Sequence, residues 1–281
     1  MDFHFPKYVI QVIGKVMISP WNPSNLNQGE VVLKNANRFT EEGIHPILEW
    51  LHRHPPSTKP DFVSSQGNFM MLMCTPFEKT EERENMPFYR LQARKWAEKF
   101  KDILSRPPNS DYTNFFNSKN SCEGIFSSSL DGIKLIYGAE VKAIRDSINE
   151  PLKCEDLIDC KINKILTNRK FLDFSKTKLI KWWCLNYLTG VPETLCGFRD
   201  EGLVNEIRSF KTTNMPKMRG VNWKPNVCLE FLRNLLHYLK GELINDPNVV
   251  HNVSWDPPGT TIKIARSERD ISYVVEDKYR V

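Results

Sequence analysis

Nothing in this chain is long and apolar enough to span a bilayer. Its longest uninterrupted apolar stretch, Phe69 to Cys74, falls far short of the roughly 20 residues a spanning helix needs. A secretory leader is missing too, because Asp2, His4, Lys7, Gln11 and Lys15 interrupt the N-terminus with polar groups, so the chain is expected to stay inside the cell. The seven cysteines are an odd number, and the nearest pair, Cys154 and Cys160, lacks metal-finger spacing. They are read as buried thiols in a reducing compartment, which argues against a disulfide-built secreted scaffold. Repeats, low-complexity tracts and Gly/Ser linkers are absent, which favours one domain over 1–281. Excess charge is small: 39 Lys and Arg against 34 Asp and Glu leave +5, too mild by itself to indicate nucleic acid.

What is present is an ordinary globular balance, 40% hydrophobic and 26% charged. Pro20, Pro23, Pro55, Pro56 and Pro60 mark a loop-rich layer over 1–60 around one short helix near 40–52. The run GNFMMLMC at 67–74 predicts a buried strand, followed by an amphipathic helix near 88–104. Strands are predicted at 133–144, with Gly138 as a bulge or close approach, and at 159–168. A helix over 173–188 has Asp173 or Ser175 as its cap and stops at Gly190. Strands near 193–198 and 202–210 follow, then a helix from Pro225 with Cys228, Phe231, Leu232, Leu235 and Leu239 on one face, and terminal strands at 261–266 and 271–275. Such a mixture predicts an α/β (mixed α+β) fold, with mixed β-sheets flanked by helices.

Charge distribution says more than the total. Between Lys161 and Trp182, seven cations face the single acid Asp173, a net of +6. A solvated helix face explains such a run, and so does a phosphate-contacting surface. Trp182 and Trp183 are expected to divide between the core and a neighbouring element, and His237 to pack beside the apolar face of the last helix.

In the second half, KLIKWW (178–183), GVPETLCGFRDEGLV (190–204), NWKPNVCLEF (222–231) and VHNVSWDPPG (250–259) stand in an order and spacing that resemble the DXO family of decapping and 5′-to-3′ RNA exonuclease proteins. GAEVKAI (138–144) and LMCTPFE (72–78) extend the likeness to about residues 60–281. The resemblance implies a DXO-like nuclease fold whose cleft holds divalent metal through an E-x-D strand, an E-x-K strand, a Gln on the Trp-Trp helix and an earlier Glu. Carboxylates of that kind bind the metal, the metal activates water, and the lysine orients it.

This chain departs from that pattern. Glu140 keeps the first carboxylate, but the aspartate of E-x-D is Lys142. Placed by distance from KLIKWW, the E-x-K positions fall on Lys164 and Leu166, and the glutamine falls on Leu185. Glu123 is the candidate for the earlier glutamate, and Arg90 for the arginine of the family's first motif. A lysine about 4 Å from a divalent cation is repelled by roughly 8 kcal/mol at an effective dielectric of about 20. The expectation is a pseudo-enzyme with no metal and no cofactor. An alternative register pairs Glu140 with Asp159 and Lys161, restoring a (D/E)-x-K hydrolase. Another alternative keeps the fold purely as a protein-interaction scaffold.

Within the family, a degenerate cleft is the mark of an insect germline branch. The resemblance then implies a nuclear protein working with Rhino and Deadlock in piRNA-cluster transcription, protecting nascent RNA 5′ ends from processing and termination. Lys142, Lys164, Lys161 and Arg90 are the residues expected to hold RNA on this reading.

Overall fold

The computed structural model describes residues 9–13, 31–32, 44–78, 87–105, 116–117, 122–144, 153–255 and 261–279. Two four-stranded mixed sheets organise it. In the first, β1 (Val9–Ile13), β5 (Cys122–Leu130), β6 (Ile133–Val141) and β3 (Phe62–Ser65) lie side by side in that order, antiparallel except for the parallel β6–β3 pair. In the second the order is β10 (Leu203–Lys211), β9 (Glu193–Asp200), β8 (Leu157–Lys164) and β7 (Ala143–Ile144), with β9–β8 the parallel pair. Two short pairs, β2 (Val31–Val32) with β4 (Phe116–Asn117) and β11 (His251–Ser254) with β12 (Lys263–Arg266), stand apart.

Five helices are described: α1 (His45–Arg53), α2 (Gln66–Cys74), α3 (Pro87–Ser105), α4 (Asn168–Thr189) and α5 (Pro225–Leu243). Strand β8 shows how they position the site. Its even residues Ile158, Cys160 and Ile162 pack with Phe100, Ile103 and Leu104 of α3. Leu157 instead joins the main core with Leu179, Ile180 and Trp183 of α4, so the odd residues Asp159, Lys161 and Asn163 belong to the α4 face. Gly197 lets α3 lie this close, since a Cβ there would meet the Phe100 ring at 2.7 Å. Trp182 meets Phe174 and Phe210, and Trp183 meets Tyr187 and Trp223; both tryptophans are buried and closed to bases.

Several predicted elements are corrected. Residues 67–74 form helix rather than strand: Ser65 accepts a hydrogen bond from the Asn68 N–H at the N-cap, and Phe69 and Met73 are buried one turn apart while Met71 is exposed. A short apolar run of Met and Leu carries no period that separates strand from helix. Helix α4 starts five residues earlier than predicted because Thr167, not Asp173 or Ser175, caps it; Gly190 ends it in the left-handed conformation at φ 69°. The β5–β6 ladder runs unbroken through Gly138, and the interruption falls at Lys142, where the chain leaves the first sheet for the second. The segment predicted as a strand at 271–275 contains a 3-10 turn, Ile271–Tyr273, which Asp270 caps through the Ser272 N–H. Of residues 1–60, read as loop-rich, β1 pairs with β5 and α1 buries Ile47; most of the remainder lies outside the described residues. Cys74, Cys160, Cys184, Cys196 and Cys228 are free and buried, and burial pushes the Cys160 thiol up to about 12.

Helix α5 buries Cys228, Leu232, Leu235, Leu236 and Leu239 and exposes Tyr238. Leu232→Ala should therefore lower the unfolding free energy in urea titrations by about 2–5 kcal/mol. Tyr238→Ala on the opposite face should stay within about 0.5 kcal/mol of the parent protein.

Candidate functional site

Where β6 breaks into β7, a cavity of about 170 Å³ opens between the sheets and α4; Glu140, Lys142, Asp159, Lys161, Leu185 and Gln66 are among its lining residues. The β7–β8 ladder pairs Ala143 with Ile158, and its next step sets Lys142 level with Asp159. Two sheets and two helices thus bring together residues far apart in sequence, as in the hydrogen bond of 2.7 Å from Gln66 Nε2 to the Leu185 carbonyl, 119 positions away.

Charge is packed densely in this cavity. Lys101, reaching in from α3 with its side chain 9% exposed, donates to Glu140 Oε1 at 2.9 Å and also meets Glu98 at 2.8 Å. Lys142 donates to Glu140 Oε2. Burial pushes the Glu140 carboxyl up, but the Lys142 and Lys101 ammoniums outweigh it and hold the group down to about 2. Burial likewise pulls Lys101 down, yet Glu140 and Glu98 together leave it raised. Asp159 is buried; its Oδ1 lies 3.3 Å from Lys161 Nζ, and its Oδ2 accepts from Thr194 Oγ1 at 3.2 Å. Thr194 in turn accepts from Asn186 Nδ2 at 2.8 Å, so α4 orients Asp159 through one hydroxyl.

The geometry corrects the residue assignments made from spacing. Lys164 and Leu166 do not face Glu140; both line a separate cavity with Trp96, Lys178 and Arg199. Shifting from Asp159 to Lys164 is an odd step of five along β8, which turns the side chain to the opposite sheet face. The (D/E)-x-K pair that meets Glu140 is therefore Asp159 with Lys161, the alternative register. Of the four residues expected to hold RNA, Lys142 and Lys161 share the Glu140 cavity and Lys164 does not. Arg90 lies within α3, and its side chain is outside the described residues. Glu123 is the Cα partner of Glu140 across the β5–β6 ladder, so the backbone register sets it beside the site. Spacing alone missed Gln66 and Lys101. Gln66 was hidden by reading its segment as the entry to a strand, and Lys101 looked like one more charge on an amphipathic helix.

The profile of the family described as RAI1-like PD-(D/E)XK nuclease matches residues 79–280. The chain belongs to this family. The decapping and exoribonuclease protein of Xenopus laevis is 25% identical, covering 84% of this chain and 70% of its own length. The decapping nuclease RAI1 of Emericella nidulans is 24% identical, covering 79% and 73%. Among solved structures, Candida albicans Rai1 in complex with pU5 and Mn2+ superimposes with a TM-score of 0.73 at 14% identity, over 90% of this chain and 84% of that one. S. pombe Rai1 superimposes with a TM-score of 0.71 at 19% identity, over 95% and 96%. These structures establish the mixed α+β fold expected from the sequence.

A RAI1-like nuclease cleft implies a divalent metal, and the described side chains do not fit one. Every oxygen of Glu140 and Asp159 already meets an ammonium or a hydroxyl, with Lys101, Lys142 and Lys161 set against Glu98, Glu140 and Asp159. Among the described residues no three His, Cys, Asp or Glu groups converge. A cation entering here would displace lysines and be repelled by them.

The Glu140 ion pairs carry a pH signature. A carboxyl held at about 2 in the fold, against 4.5 ordinarily, contributes stability that is fully present above its unfolded value and lost as pH falls toward the folded one. The stability difference between the parent protein and Glu140→Gln should be largest above about pH 5 and shrink steadily toward about pH 2 in urea titrations. A difference that stays constant over this range would mean that the pairs contribute nothing.

Proposed function

We propose that this chain is a catalytically degenerate member of the RAI1-like family that holds RNA 5′ ends without cleaving them. The observation that carries this reading is the bracketing of Glu140: the ammoniums of Lys101 and Lys142 engage both oxygens that a metal would need. Lys142 stands where the family's E-x-D aspartate is expected, so the substitution replaces a ligand with a competing cation. Candida albicans Rai1, a structural relative, forms a complex with pU5 and Mn2+. On our reading this chain meets a 5′-phosphate with the ammoniums of Lys142 and Lys161 in place of metal charge, since both line the same cavity. Such a protein resembles Cutoff, the degenerate germline paralogue. That likeness motivates a nuclear role in piRNA-cluster transcription, with Rhino and Deadlock as partners and shielding of nascent 5′ ends from processing and termination as the outcome.

One observation favours a second reading, a surviving hydrolase: Glu140, Asp159 and Lys161 do share a cavity. Two measurements separate the readings. The parent protein should show no turnover of 5′-monophosphate, triphosphate or capped RNA in Mg2+ or Mn2+, and EDTA should leave its binding of 5′-phosphorylated RNA unchanged. Lys142→Asp combined with Leu185→Gln should bring calorimetric Mn2+ binding that the parent lacks. Turnover by the parent that Glu140→Ala abolishes would establish the hydrolase instead.

A further inference from the structure

The second cavity, against α4's N-terminal half, has a volume of about 830 Å³, within the usual range for ligand pockets. Asn163, in its wall, lies four residues beyond Asp159, about 13 Å along β8 at 3.3 Å per residue. Two of its polar side chains, Asn163 and Arg199, are each only 6% exposed. Lys178 Nζ donates to Asn163 Oδ1 at 3.0 Å, and because an ammonium can only donate, the atom facing it must be the amide oxygen. The Asn163 Nδ2 group is thereby fixed pointing elsewhere, with no partner among the described residues. The Arg199 guanidinium carbon sits 3.8 Å above the Trp96 ring, which holds the group in place, while its Nε likewise has no partner among the described residues. Buried donors left unpaired are rare in native structures and call for an acceptor.

The surroundings indicate which acceptor. Lys164, Lys170, Lys178 and Arg199 line the cavity against Asp173 and Glu201. Burial pulls both Lys178 and Arg199 below their usual basicity, and each would be relieved by an anion. Three of these cations, Lys164, Lys170 and Lys178, come from the stretch whose net charge of +6 stands out in the sequence. One ring face of Trp96 is taken by the guanidinium, so recognition here rests on donors and positive charge, with Leu166 and Phe174 offering an apolar wall to the rest of a ligand.

We propose that this cavity, which wraps the end of β8, is a second anion site that takes the phosphate of a nucleotide, with Asn163 Nδ2 and the Lys178 ammonium as donors from the α4 side and Arg199 and the Lys164 ammonium from the α3 side. It does not depend on how the Glu140 cavity functions. The phosphate can come from a free mononucleotide or from the backbone of single-stranded RNA, and the chemistry at the site is the same.

Calorimetry with uridine 5′-monophosphate and with 5′-hydroxyl hexauridylate tests it, using the parent protein, Asn163→Asp, Lys164→Ala, Tyr238→Ala as the neutral control and Lys142→Ala to report binding in the Glu140 cavity. Asn163→Asp keeps the side-chain shape, retains an acceptor for Lys178 and sets an anion against the ligand; thermal melting checks that it folds. We expect at least one probe to bind, binding to weaken with added salt, Asn163→Asp to weaken it tenfold or more, Lys164→Ala to weaken it several-fold, and Tyr238→Ala, on the exposed side of α5, to leave it unchanged. Hexauridylate binding tighter than the mononucleotide identifies RNA as the source, and equal or weaker binding identifies a free nucleotide. The proposal is overturned if neither probe binds the parent, in which case water fills the donors, or if Asn163→Asp and Lys164→Ala both bind like the parent. It is also overturned if binding is lost with Lys142→Ala and kept with Asn163→Asp. Hexauridylate carries no 5′-phosphate, so its result stands apart from the 5′-end reading of the other cavity.

Discussion

The ion cluster at Glu140 is the constraint around which this cleft is arranged. Glu140 sits near the end of β6, just before the chain crosses from one sheet into the other, and it is gripped by one lysine from that crossover and one from α3. Partly buried charges are tolerated only when they are paired and hydrogen-bonded. The cluster meets that condition internally: Lys101 satisfies Glu98 and Glu140, and Asp159 is satisfied by Lys161 and Thr194. Both carboxylate oxygens of Glu140 are engaged by lysines of the same chain.

Helix α4 links the two cavities. Its C-terminal half presents Leu185 and Asn186 to the Glu140 cavity, and its N-terminal half presents Lys170 and Lys178 to the other. The odd face of β8 runs beneath it, with Asp159 and Lys161 at one end and Asn163 at the other. The segment of concentrated positive charge therefore does not form one surface. Strand alternation and helix length divide it between two separate pockets, each with its own acceptors.

Much of the fold was legible because its signals are local. Pro225 opens α5 and Gly190 closes α4 as their chemistry dictates, and the spacing of Cys228, Leu232, Leu235 and Leu239 gave the buried face directly. The errors arose where local signals are silent. Residues 67–74 lack a decisive period, so only the Ser65 cap and the packing of Phe69 and Met73 select helix. Strand β5 went unassigned because its run of Ser127, Ser128 and Ser129 hides the alternation that β6 makes plain.

The same division holds at the site. By itself the sequence determined which chemical groups are available: Glu140 two residues before Lys142, Asp159 two before Lys161, Leu185 just after the Trp-Trp pair, and an excess of lysines between 161 and 182. It could not determine which of those lysines meet Glu140, because the family's E-x-K strand could be placed on Lys164 and Leu166 or, five residues earlier, on Asp159 and Lys161. The β7–β8 ladder decided for Asp159 and Lys161 by pairing Ala143 with Ile158, and the packing of α3 on β8 brought in Lys101. Strand register and helix packing are set by contacts between distant segments, so which side chains share a cavity is a property of the assembled sheets rather than of any one stretch of chain.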